Sequence, residues 1–104
     1  MSHPLTDILL NHRASGTLIE DLPASAVPQT IDEAYQVQYE TVTRLGPVGA
    51  WKVQPMPEQG LPAASPLLAD MIFADGVTLS GADFPDTGIE VEVAVTINRH
   101  FPAA

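Results

Sequence analysis

Cysteine is absent from this chain, which excludes a disulfide framework, a thiolate zinc site and a cysteine nucleophile, and permits a reducing compartment. Basic residues are scarce: four lysines and arginines stand against thirteen aspartates and glutamates, for a net charge of −9. A protein that grips nucleic acid neutralises phosphates with cations, so this balance excludes that partner and favours solubility. Long apolar runs are missing too. None approaches the roughly 18 residues that span a bilayer, and no basic region precedes an apolar core at the N-terminus. The expectation is a cytoplasmic protein without a membrane partner. No glycine-rich phosphate loop or nucleophile elbow is visible, and His3, His12 and His100 lack the paired spacing of a zinc site.

What remains is enough for one modest domain of 104 residues, burying roughly two-thirds of the surface its unfolded form exposes. The first element reads as a helix with Leu5, Ile8 and Leu9 near one stripe and Gly16 placed to end it. A turn-rich connection around Pro23 and Pro28 follows. Thr30 and Glu33 then have the T-x-x-E form of a capping box. From there Ile31, Ala34, Val37, Gln38, Thr41, Val42 and Leu45 recur at helical spacing, and Gly46 and Pro47 stop the run. The pattern predicts a helix over residues 31–45. Residues 48–53 read as a short strand carrying Trp51 and Lys52, with Trp51 and Tyr35 expected as amphipathic core residues.

Pro55, Pro57, Gly60, Pro62 and Pro66 enforce an irregular segment, either a lid facing a ligand or a plain surface excursion. Residues 67–73 read as a short turn or helix running into a strand, residues 77–79 as another strand, and residues 81–88 as a polar loop. The fold class is α+β: helices packed on a small, mostly antiparallel sheet. Residues 1–75 form its helical and first-strand region, and residues 76–104 begin a second, acidic stretch of sheet.

That stretch is the strongest pattern in the chain. Ile89, Val91, Val93, Val95 and Ile97 alternate with Glu90, Glu92, Ala94 and Thr96, and strand side chains repeat with period two, so both carboxylates share one face. Facing water, they keep a half-buried strand wet. Enclosed, two carboxylates about 6 Å apart repel by roughly 3 kcal/mol at an effective dielectric of about 20, and a hard cation such as Mg2+ or Mn2+ between them removes that cost. Only seven residues follow this strand, so little local sequence remains to cover its edges and inner face. A second copy, a partner chain or further sequence is expected to complete the sheet.

Four segments, in order, resemble the 2-keto-4-pentenoate hydratase and 2-oxohept-3-ene-1,7-dioate hydratase group of the fumarylacetoacetate hydrolase superfamily. Ala34-Tyr35-Gln36-Val37-Gln38 is similar to its AYxxQ helix, Gly49-Ala50-Trp51-Lys52-Val53 to its G-x-K-V strand, Leu67-Leu68-Ala69-Asp70-Met71 to its L-x-A-D-M segment, and Ile89-Glu90-Val91-Glu92-Val93-Ala94 to its IExEIA strand. Asn98-Arg99 and Phe101-Pro102 extend the last match. The resemblance covers nearly all of this chain but only the front portion of a typical member. It implies the first part of a fumarylacetoacetate-hydrolase-like fold and a metal-dependent hydratase of aromatic-compound catabolism. In that enzyme Glu90 and Glu92 are two of three carboxylate ligands to magnesium or manganese, and the third lies beyond this sequence. Lys52 stands beside the bound 2-oxo acid substrate and stabilises its enolate, with its pKa depressed by burial next to the metal. Asp70 is a polar or acid–base group of the same site. Without the resemblance Lys52 reads as a snorkelling surface lysine and Asp70 as a capping or solvated acid. Gln54, where a glycine usually follows K-V, and Ser65-Pro66, which replaces a glycine-containing approach, depart from the pattern. A non-catalytic interaction or regulatory subunit keeping the fold without a complete metal site is the competing reading.

Overall fold

The computed structural model describes residues 1–103. Its first helix, α1 (Pro4–Ser15), begins with proline in the first turn, where a missing N–H costs nothing. His3 caps it: the imidazole Nδ1 accepts from the Leu5 N–H at 3.2 Å. At the other end Gly16 takes a left-handed conformation, φ 69°, which stops the helix at little cost for a residue without Cβ. The second helix, α2 (Ile31–Leu45), runs over the range its periodicity predicts. The Thr30 hydroxyl accepts from the Glu33 N–H at 3.1 Å. The Glu33 carboxylate reaches one residue further back than a standard capping box, accepting from the Gln29 N–H at 2.6 Å.

The two helices meet over a small apolar cluster of Leu5, Ala26 and Val37, with Ile8 and Leu9 packed against it. Beside it lies a polar tie between helices. Glu40 accepts from the His3 N–H, from the fully buried Thr6 hydroxyl, both at 2.9 Å, and from the Gln36 amide at 2.9 Å. The three donors favour the ionised form, Gln36 most, and hold the Glu40 pKa down at about 2 from an ordinary 4.5. Because the folded value lies below the unfolded one, this tie contributes stability above about pH 4.5 and loses it as pH falls through about 2. Far-ultraviolet dichroism is expected to show an acid transition across that window, and Glu40→Gln should flatten it. An unchanged transition in the variant would place the acid sensitivity elsewhere.

The sheet is a two-stranded antiparallel hairpin of β1 (Val48–Val53) and β2 (Ala64–Leu68). Trp51 pairs with Pro66, Lys52 with Ser65 and Val53 with Ala64, and the register shifts between Val48 and Ala50. Proline fits within β2 because a two-stranded ladder leaves each strand one unpaired side. The irregular segment is therefore shorter than its prolines suggest, and β2 begins inside it. The residues after Leu68 form a 3₁₀ turn, Ala69–Met71, and no strand follows among the described residues. That turn sits against the start of β1: Ala69 N–H donates to Pro47 O at 2.8 Å, and a Cβ on Gly49 would come within 2.8 Å of Ala69 Cα. Glycine is the residue that permits this approach. Helix α2 holds the hairpin through Gln38, which donates to Ala64 O, and Tyr35, whose hydroxyl accepts from Ala64 N–H, each at 3.2 Å.

The architecture is α+β, two helices with an antiparallel sheet. Three further expectations fail. Residues 77–79 and 89–97 form no strand, because strand geometry persists only where a neighbour takes up its backbone groups, and none approaches them. Tyr35 and Trp51 are not core: they are 39% and 59% exposed and line an open groove between α2 and β1 with Tyr39, Val42, Val48 and Pro66. The surface is correspondingly large. It measures 9018 Å², against about 5,700 Å² expected for a compact chain of this mass. The radius of gyration is 16.1 Å, where a compact domain of this length has about 13 Å. Among the described residues no helix is long and apolar enough to cross a membrane.

Candidate functional site

Lys52 lies on β1, opposite Ser65 of β2, and its side chain leaves the hairpin toward the acidic segment. Its Nζ meets Glu90 Oε2 at 2.5 Å and Glu92 Oε1 at 2.9 Å. Two carboxylates two residues apart reach one ammonium only when their side chains leave the same face of the chain, which is the period-two arrangement. Glu90 and Glu92 thus keep the alternation of a strand without its ladder. Three of the four candidate site residues come together, Lys52 and Glu90 across 38 positions of sequence.

The fourth does not join them. Asp70 is exposed on the 3₁₀ turn Ala69–Met71 and makes no hydrogen bond or ion pair with Lys52, Glu90 or Glu92. Among the described residues, no three histidine, cysteine, aspartate or glutamate side chains gather as a metal cluster.

The electrostatics of the triad run opposite to the sequence expectation for the lysine. Hydrogen bonds to Glu90 and then Glu92 raise the Lys52 pKa, outweighing the opposing effect of desolvation. The Lys52 ammonium in turn lowers that of Glu90. Burial depresses a lysine only when no countercharge compensates. Here the lysine side chain is 46% exposed and faces two carboxylates that are 71% and 54% exposed. Lys52 is therefore a fixed positive charge at neutral pH and not a proton acceptor. The two carboxylates are hard oxygen donors held near one point by the ammonium. Exposed ion pairs of this kind contribute little stability and weaken with salt, so the arrangement is open to exchange.

Two functional-looking features lay outside the sequence reading. One is the Glu40 tie, whose donors come from His3, Thr6 and Gln36. Gln36 is a helical neighbour, but nothing in sequence spacing links Glu40 to the N-terminus. The other is the His3 cap, since histidine stands outside the usual capping residues. No protein-family model, curated protein or solved structure matches this chain.

Proposed function

We propose that this chain contributes a lysine and two carboxylate ligands to a divalent-metal-dependent hydratase, which adds water to a 2-hydroxydienoate or 2-oxo-enoate in aromatic-compound catabolism. The observation that carries the reading is the meeting of Lys52 with Glu90 and Glu92, the positions singled out by their resemblance to a G-x-K-V strand and an IExEIA strand. The donor set is of the right kind. Oxygen ligands from carboxylates suit Mg2+ or Mn2+ rather than a thiophilic metal. Glu90 and Glu92 would hold the ion, with a third oxygen from a partner chain or further sequence. When bound, such a cation supplies Lewis-acid stabilisation to negative charge that develops on a 2-oxo oxygen.

Lys52 adds a second positive charge at that point. On a chain with net charge −9, an anionic substrate needs such local help to approach. Displaced from the carboxylates, the ammonium is free to bind the substrate's oxygen and hold it while charge accumulates. Asp70 has the acid–base role, which requires the Ala69–Met71 turn to face the same substrate.

The competing reading, a non-catalytic interaction or regulatory subunit, is favoured by the exposure of both carboxylates and of the apolar row beside them. The two separate cleanly. Magnesium or manganese and a 2-hydroxydienoate are added to this chain alone and with any co-purifying polypeptide, and ultraviolet loss of the dienol is followed. Metal-dependent turnover in either sample is expected. No turnover in either, with no thermal shift on adding metal, would favour the interaction subunit.

A further inference from the structure

Residues 89–97 present an uncovered apolar row: Ile89, Val91, Val93 and Val95 are 82–96% exposed and Ile97 is 67% exposed. No backbone hydrogen bond joins this segment to the rest of the described chain, so its N–H and C=O groups are free for another strand. A contiguous exposed apolar row beside an unpaired backbone edge marks an interaction surface. We propose that its occupant is a second copy of this chain, added as an antiparallel strand centred on Val93.

The pattern of residues selects both the partner and the register. Centred on Val93, the segment is self-complementary: Ile89 faces Ile97, Val91 faces Val95, and Val93 meets its own copy. On the opposite face Glu90 lies across from Thr96 and Glu92 across from Ala94. The alternatives are worse. Centring one residue earlier sets Glu92 against Glu92, and two residues earlier sets Glu90 against Glu92. Parallel pairing in register stacks each glutamate on itself. Like charges directly opposite destabilise a strand pair. Centring one residue later leaves Ile89 facing Arg99. The Val93-centred register is the one that matches all five apolar residues without opposing carboxylates.

Tertiary structure adds the orientation. Lys52 holds Glu90 and Glu92 on its own side, which turns the apolar row outward. In the pair the two Glu92 side chains become diagonal neighbours, and each is already neutralised by a Lys52 ammonium at 2.9 Å. Each copy carries a net charge of −9, so long-range repulsion opposes association and added salt strengthens it. The surface leaves Lys52 and both carboxylates in place, and the proposal stands whether or not they bind metal.

Sedimentation velocity of the full chain at micromolar to millimolar concentration is expected to show twice the chain mass, with the dimer favoured by salt. Val93→Lys, at a fully accessible position, should give a folded monomer. The register is read by single cysteines in a chain that otherwise has none. Val93→Cys is expected to form a disulfide-linked dimer under mild oxidation. Val91→Cys alone should not, because its two copies stand about 13 Å apart along the strands, beyond the roughly 7 Å that a disulfide spans. A mixture of Val91→Cys and Val95→Cys should cross-link. A monomer at every concentration, a dimer that survives Val93→Lys, or equal cross-linking through Val91→Cys and Val93→Cys would overturn the proposal.

Discussion

Lys52→Met is expected to reduce turnover of the proposed hydratase by a hundredfold or more while strengthening the binding of Mn2+. Losing a group that stabilises developing charge in a preorganised site costs roughly 10²–10³ in rate, and Lys52 is the cation that the structure sets beside both carboxylates. The second effect has the opposite sign and a separate cause. In the native chain a divalent ion would have to displace an ammonium that donates to the two carboxylates at 2.5 and 2.9 Å. Methionine removes the competitor and leaves two carboxylates whose mutual repulsion only a cation relieves. Binding of manganese is followed by paramagnetic relaxation of water and turnover by loss of the dienol absorbance. Glu90→Gln with Glu92→Gln provides the counterpart, with both metal binding and turnover lost. A Lys52→Met protein whose affinity for manganese is unchanged would show that Lys52 and the metal do not share a place. One with full turnover would remove the lysine from the chemistry.

Val37→Asp is expected to separate the two helices. Val37 is 4% exposed and packs with Leu5 and Ala26, themselves 9% and 1% exposed, in the one apolar cluster between α1 and α2. A carboxylate there has no partner, and an uncompensated buried charge costs roughly 3–5 kcal/mol. Domains of this length are stable by about 5–15 kcal/mol, and this one has few buried residues to draw on. The loss is expected to appear as reduced helical dichroism and as amide exchange in α1 rising toward that of an unfolded segment. Val37→Ile, which keeps the chemistry and adds one methylene, should retain both signals. Protection of α1 that survives Val37→Asp would mean that the Glu40 tie, not the apolar cluster, holds the helix.

The helices were legible because their determinants are local. Thr30 at the start, Gly46 and Pro47 at the end, and the spacing of Ala34, Val37 and Thr41 between them specify α2 to the residue. Gly16 does the same for the end of α1. Strand β1 was equally plain, but its partner was hidden by Pro66, which sequence reasoning takes as a breaker and an edge ladder tolerates. The error at residues 89–97 has another origin. Alternation reports which side chains share a face. It does not report whether a neighbouring strand exists, and among the described residues none does. Tyr35 and Trp51 failed for a related reason: aromatic rings are drawn to a core, but two helices and a hairpin leave the space between α2 and β1 as an open groove.

By itself, the sequence determined both helices and strand β1, the exclusion of cysteine chemistry, and the placing of Glu90 and Glu92 on one face, since each follows from residue type or from spacing within a few positions. Only the tertiary structure decided that Lys52 meets those two glutamates across 38 residues, that Asp70 stands apart from them, and that the lysine is held more firmly protonated instead of less. Those outcomes depend on which distant charges come into contact and how much water they keep. No local pattern encodes either.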